Sequence, residues 1–433
     1  MIGAIRRAFT TPDLRNKLLF TLGIIVIFRL GSFIPSPGID YTKVQECVAS
    51  PQLNSGGFAM INLFSGGALL QLSIFALGIM PYITASIIVQ LLRVVIPRFE
   101  ALHKEGASGQ AKLTQYTRYL TIGLAVLNST TLVATVESGA LFGNIQGCTD
   151  LIVNNEWWGL AILVLTLTAG TGLIMWLGEQ ITEHGVGNGM SILIFTSVAS
   201  AFPSSLGAIL SEQGIDVFLI VIAVGLVLVA LVVFVEQSQR RIPVQYAKRM
   251  VGRRMFGGTS TYIPIKVNMA GVIPVIFASS VLYLPSLIAQ FFDPQTGWVE
   301  WINTYFTRGD HPIYIAAYAV LVIFFSYFYV AITFNPEEVA DNMKKYGGFI
   351  PGIRAGRPTA DYLSFVLSRI NFPGSLYLAF VALIPLIALV LINANQNFPF
   401  GGTSLLIIVG VGLETVKQID AQMQQRHYEG LLR

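Results

Sequence analysis

Charge is what this chain has least of. Asp, Glu, Lys and Arg make up 12% of its 433 residues, about half the share usual in a soluble domain. Together with 54% hydrophobic residues and a mean hydropathy of +0.66, this excludes a soluble globular enzyme. Charge is scarcer still inside the apolar blocks. Arg29 alone sits well within one, and Glu179 falls just past the cytosolic end of the fourth. An ion-coupled pump or an intramembrane enzyme carries ionisable groups deep in its helices, because burying them is costly unless they work. Snorkelling or a backbone-carbonyl contact accounts for Arg29, and a helix-end partner for Glu179.

Catalytic signatures are missing too. The chain has no His-Glu-x-x-His helix, no Gly-x-Ser-x-Gly elbow and no Gly-Lys-Ser/Thr phosphate loop. The glycine-rich "HGVGNG" (184–189) lacks the strand and lysine of a nucleotide loop, and reads as a tight cytosolic turn between two membrane helices. Cysteine is nearly absent: Cys47 and Cys148 both fall in outer loops, the one compartment here where a disulfide persists. The simpler reading is two unrelated small residues, and a bridge between them is the alternative.

What is present is apolar sequence in blocks of about twenty, the length that crosses a bilayer. "VFLIVIAVGLVLVALVVFVE" (217–236) and "YIAAYAVLVIFFSYFYVAITF" (314–334) are examples. The pattern predicts an all-α polytopic membrane protein with ten spans, near 18–35, 72–94, 116–136, 157–178, 190–207, 216–236, 269–292, 312–334, 373–393 and 402–420. The first block follows four basic residues as a signal peptide would. "PSPGIDY" follows it instead of a small-residue cleavage site, so it is expected to stay as an uncleaved helix. Of the 27 basic residues, 24 lie in one set of loops. By the positive-inside rule both termini are therefore cytoplasmic.

Ten spans with both ends inside divide into two groups of five, and an odd number forces the second group into the opposite orientation. That is the arrangement of an inverted repeat with its functional site between the halves, here 1–210 and 211–433. No convincing residue-level repeat is visible, so topology alone carries this reading. Two inner loops, 237–268 and 335–372, are long and basic. The first alternates β-branched and aromatic residues around Gly257-Gly258, which predicts a projecting hairpin. Six basic residues between Arg240 and Arg254 exceed what orientation requires, and suit docking of RNA phosphates or an acidic protein face. Gly78 and Pro81, Pro274 and Pro285, and Pro385 are expected to kink helices or let them approach closely.

Five stretches carry a resemblance: "FSGGALLQLSIFALGIMPYITASIIVQLL", "MWLGEQITEHGVGNGMSILIF", "YIPIKVNMAGVIPVIFASS", "FNPEEVADNMKKYGGFIPGIRAGRPT" and "FGGTSLLIIVGVGLETVKQI". They closely resemble the SecY family, the channel subunit of the bacterial protein translocon, and the likeness runs essentially the whole length. The resemblance implies a passive protein-conducting channel in the bacterial plasma membrane, with no cofactor. It would translocate unfolded secretory chains and insert membrane proteins laterally. It further implies two inverted five-helix halves around a central pore. The pore ring would be Ile79, Ile83, Met190, Ile194, Ile276 and Ile407, with Met190 in place of the usual isoleucine. A plug, expected as a small mobile helix, would comprise Asn62, Leu63, Phe64, Ser65, Gly66, Gly67, Ala68, Leu69 and Leu70. The lateral gate would lie between the second and seventh spans, with Gln90 and Asn268 near its cytosolic side. Arg253 and Arg254 in the hairpin, and Arg354 in "FIPGIRAG", would serve binding of the SecA ATPase and the ribosome. Further implied partners are the SecE and SecG subunits, signal peptides, nascent chains and membrane lipids.

Overall fold

The computed structural model describes residues 11–48, 65–137, 139, 151–153, 156–246, 249–251, 254–256, 260–289, 296–306, 311–392 and 402–429. In chain order the helices are α1 (Pro12–Phe33), α2 (Tyr41–Val48), α3 (Met80–Val95), α4 (Pro97–Lys104), α5 (Ala107–Glu137), α6 (Trp157–His184) and α7 (Gly189–Gln237). After a small β region come α8 (Ile273–Ala289), α9 (Gly297–Tyr305), α10 (Pro312–Thr333), α11 (Pro336–Lys345), α12 (Arg357–Ile392) and α13 (Gly402–Glu429). Among the described residues six helical stretches are long and apolar enough to cross a membrane, or seven if the bent pair α3–α4 is one span. Gly189–Pro203 and Ile273–Leu282 are apolar but shorter. Large apolar side chains on the outside, such as Leu19, Val26, Leu226 and Phe324, suit a lipid surround that solvates them as well as a protein core would.

Two spans start later than their composition suggests. Residues 72–79 are as apolar as those that follow, yet the helix begins only at Met80, and the stretch from 66 to 79 is a series of turns. Gly78 has a φ of 56° and Leu72 a φ of 46°, both left-handed and incompatible with a continuing helix. Pro81 then falls in the first turn, where its missing N–H breaks no bond. The same device recurs at α8. Gly271 has a φ of 61°, and Pro274 is the second residue of the helix. Both prolines therefore start helices rather than kinking them, while Pro285 lies inside α8.

α7 runs for 49 residues and is divided at Gly214, whose φ of 83° and ψ of 175° break the helical path between two of the expected spans. The turn 185–188 reverses the chain from α6 into α7, and Asn188 caps the new helix by accepting from the N–H groups of Met190 and Ser191.

The basic loop 237–268 is a hairpin, as its alternation predicts. β1 (Gln239–Tyr246) pairs antiparallel with β4 (Ser260–Lys266), and β5 (Gly348–Phe349) joins the other edge of β1. A second ladder pairs β2 (Arg249–Val251) with β3 (Arg254–Phe256). The chain reversal falls between Val251 and Arg254, which face each other, and not at Gly257-Gly258. Ile242, Val244 and Ile265 point inward and join Met343 and Ile350 in the core beneath.

Two apolar cores are separate in sequence. One draws its buried residues from 228–409 and the other from 44–167. A third takes members from both ends of the chain, from Ile24 to Ile407. Close approaches at glycine fix the helices around it. A Cβ at Gly170, midway along α6, would overlap the carbonyl of Ile74, and one at Gly31 would overlap the Phe75 ring.

Cys47 is buried and disulfide-bonded, which overturns the simpler expectation of two unrelated small residues; Cys148 lies outside the described residues. Thiol alkylation of denatured, unreduced protein should therefore find no free thiol, and two after reduction; one or two thiols before reduction would contradict the bonded state. Gly170→Val should destabilise the fold by about 1–3 kcal/mol through overpacking against Ile74. A lower thermal aggregation midpoint in detergent is the expected reading.

Candidate functional site

The third core is where residues distant in sequence meet. Ile79 ends the turn segment with helical dihedrals, and its carbonyl accepts from the N–H groups of Tyr82 and Ile83 at 3.1 Å each. Val272 ends the corresponding turn before α8, and its carbonyl accepts from Val275 at 3.1 Å and Ile276 at 3.3 Å. The sequences are Gly78-Ile79-Met80-Pro81 and Gly271-Val272-Ile273-Pro274, so the second and seventh expected spans begin with one Gly-x-x-Pro unit. Ile83 and Ile276 each follow their glycine by five residues. This short repeat was legible in the sequence, but it is too brief to stand out without the shared turn geometry.

Ile79, Met190, Ile194, Ile276 and Ile407 are all buried in this core, and Ile83 packs against it partly buried. They come from the start of α3, the first turns of α7, the first turn of α8 and the first half of α13. Val272 packs on the same cluster, a member that the sequence pattern did not single out. Met190 lies over Gly178 of α6, where an added methyl would meet its sulfur at 2.5 Å. The result is an apolar cluster drawn from four helices and the residues that lead into them. Its aliphatic side chains present no polar group that could hold a polar solute in one pose.

Against this cluster sits the turn segment. Asn62, Leu63 and Phe64 lie outside the described residues; of the rest of the expected plug, Ser65 is helical and Gly66 to Leu70 form turns. Two glycines with left-handed φ (66° at Gly66 and 92° at Gly67) are the reason. The Arg29 guanidinium donates from Nη1 to the Gly66 carbonyl at 3.1 Å, and also lies 5.1 Å over the Phe33 ring. A backbone-carbonyl contact is thus what the half-buried Arg29 makes. Ser65 Oγ accepts from the Leu69 N–H at 3.1 Å. Leu69, Leu72 and Ala76 enter the core of 44–167 while Phe75 and Ile79 enter the third core, so the segment ties the two together.

Gln90 and Asn268 each make hydrogen bonds of their own. Gln90 reaches Ser86 on its own helix at 3.5 Å. Asn268 is buried and serves the approach to α8: its amide donates to Glu236 at 2.6 Å and to the Gly271 carbonyl at 3.2 Å, and its oxygen accepts from the Gly271 N–H. Arg354 is exposed in the turn between β5 and α12, its carbonyl accepting from the Thr359 hydroxyl at 2.9 Å. Arg254 starts β3, and Arg253 lies outside the described residues. Glu179 has the partner its position called for. Arg118 of α5 grips it with two parallel bonds of 2.8 and 2.9 Å.

Gly66 has no room for a side chain, since a Cβ would stand 3.1 Å from the Ser197 backbone and 3.0 Å from the Arg29 guanidinium. Gly66→Val should therefore unseat the segment. Faster limited proteolysis near residues 65–70 is the expected outcome, and an unchanged cleavage rate would count against the seating described.

Comparison with known proteins matches residues 73–416 to the SecY family model. Protein translocase subunit SecY of Streptomyces galbus is 65% identical over the whole of both chains. Those of Micrococcus luteus and Mycobacterium bovis are 59% and 55% identical, again over full lengths. Among solved structures, one described as a protein-conducting channel superposes with a TM-score of 0.64 at 17% identity, covering 94% of this chain and 92% of that one. Another, of a SecY protein whose plug domain is described as stabilising the closed state and maintaining a membrane seal, gives 0.62 at 19% identity, with 94% and 92% covered. At these identities the structures establish a shared fold, and the sequence relatives establish descent: this chain belongs to the SecY family.

Proposed function

We propose that this chain is the protein-conducting channel of a bacterial plasma membrane, moving unfolded polypeptides across it and releasing apolar segments sideways into lipid. The observation that carries the reading is the constriction of Ile79, Ile83, Met190, Ile194, Ile276 and Ile407, drawn from both ends of the chain. A collar of aliphatic side chains closes by dewetting, yet offers a passing chain nothing to bind. A solute transporter would instead need convergent polar groups at its midplane.

Ten passes in two inverted halves, 1–210 and 211–433, fit this reading. The seven spans counted with the bent pair, together with Gly189–Pro203, α8 and the apolar part of α13, make that number. The two cores confined to 44–167 and 228–409 support the division, and so does the repeated Gly-x-x-Pro start of α3 and α8. With the basic loops inward, both termini are cytoplasmic.

Residues 62–70 act as the plug, with Arg29 holding Gly66 in the resting state. The lateral gate is the seam between α3 and α8. A signal peptide or membrane segment of the client favours the open form and so shifts the population toward it. Energy comes from partners that dock on the hairpin and on the loop bearing Arg354, namely SecA or the ribosome; SecE and SecG complete the complex. Relatives of the fold include a Sec61 channel in a ribosome complex, which supports the docking side of this reading.

Cysteines placed at Ile83 or Ile276 should crosslink to a client stalled midway, whereas a proven intermediate that never crosslinks there rejects the pore. Deleting 62–70 should raise resting ion conductance in planar bilayers, with Arg29→Gln giving a smaller rise; silent channels in both would remove the plug. Arg354→Glu should reduce SecA-dependent export several-fold at normal abundance, and undiminished export would take the role from that residue.

A further inference from the structure

The sharp bend between α3 and α4, 97° across Ile96, sets the two helices at nearly a right angle. It sets His103 of α4 against Arg93 in the last turn of α3, with Nη1 3.3 Å from Nε2 and 3.4 Å from Nδ1. Arginine has no acceptor, so the ring must accept through its unprotonated nitrogen. With one amino group so engaged, the other, Nη2, donates to the carbonyl of Ile332 at 3.2 Å.

Ile332 lies in the last turn of α10. The final carbonyls of a helix lack intrahelical partners, and its C-terminal end favours a cation. Arg93 answers both needs. The bond crosses from the first half to the second, because α10 packs on α8 and α12 while α3 packs mainly on α5. It therefore ties α3 to the helix packed behind α8, across the α3–α8 seam that opens sideways in the function proposed above.

We propose that Arg93 is a clasp across the α3–α10 seam, and that its strength sets how apolar a client segment must be to leave the channel laterally. His103 is a positioning residue that aims the guanidinium. Opening the seam must break a charge-assisted hydrogen bond, weakened because the side chain is partly exposed. Removing it should raise the open fraction about fivefold. A client then needs less transfer free energy to hold the gate open, so the acceptance threshold falls. This rests on the channel reading, but the clasp itself is a property of the resting molecule and is measurable without any client.

The test has two arms. In the first, the full-length protein in its native complex carries spin labels at Val95→Cys and Thr333→Cys, both exposed positions flanking the clasp; Cys47 is already bonded and does not compete. Arg93→Gln should raise the long-distance population about fivefold, His103→Ala by less, and Arg93→Lys should restore much of the short distance. In the second, a model secretory client carries a test segment with increasing leucine content, and lateral integration is scored. Arg93→Gln should move the midpoint down by about two leucines, while Arg98→Gln, at an exposed position beyond the bend, should leave it in place. An unchanged distance distribution in Arg93→Gln overturns the clasp. Altered distances with an unmoved midpoint overturn its role in selecting clients. Failure of wild-type Ile276→Cys to crosslink a stalled client would instead defeat the channel reading, leaving the distance result standing.

Discussion

A bilayer offers no water to satisfy backbone polar groups, so non-helical chain at membrane depth survives only where protein surrounds it. Residues 65–79 are such chain. They turn repeatedly, carry left-handed φ at Gly66, Gly67, Leu72 and Gly78, and pass the midpoint of α6 at Gly170. Several of their backbone groups are met by one another, by the Ile34 carbonyl, which accepts from Ile74, by the Ser36 N–H, which donates to Leu72, and by Arg29. The three helices that enclose them, α1, α6 and α7, must come close, which is why Gly31 and Gly170 have no side chain. Much else in the first half follows from housing this segment.

The same constraint explains why this apolar cluster is made where helices begin. Ile79 and Val272 each close a turn and open a helix, so their side chains are aimed by backbone that cannot shift independently of its hydrogen bonds. An aliphatic ring built this way is defined by main chain geometry, and tolerates Met190 in one position because methionine fills irregular space. Arg29 is the exception that the apolar interior accommodates, since its charge is spent on a carbonyl and an aromatic face.

Much of the fold was legible because lipid selects on composition: blocks of about twenty apolar residues mark spans whatever their neighbours. The hairpin was legible from its alternation, with Ile242 and Val244 inward and Arg241 and Pro243 outward. What composition could not reveal is the start of α3, because turns buried in protein are as apolar as a helix. The pairing of Val251 with Arg254 depends on strand register, and the bonded state of Cys47 on where α2 packs. The constriction spans more than 320 positions, so only the resemblance could assemble it from sequence. The Asn268 interactions were hidden for the opposite reason. They are local, spent on Glu236 and Gly271.

The hairpin is bolted to one side only. Ile242, Val244 and Ile265 sink into the core built from 228–409, β5 ties β1 to the segment before α12, and none of these residues belongs to the core of 44–167. A load applied at the tip of the hairpin is therefore delivered to the core of residues 228–409, and reaches the core of 44–167 only through the contacts between them.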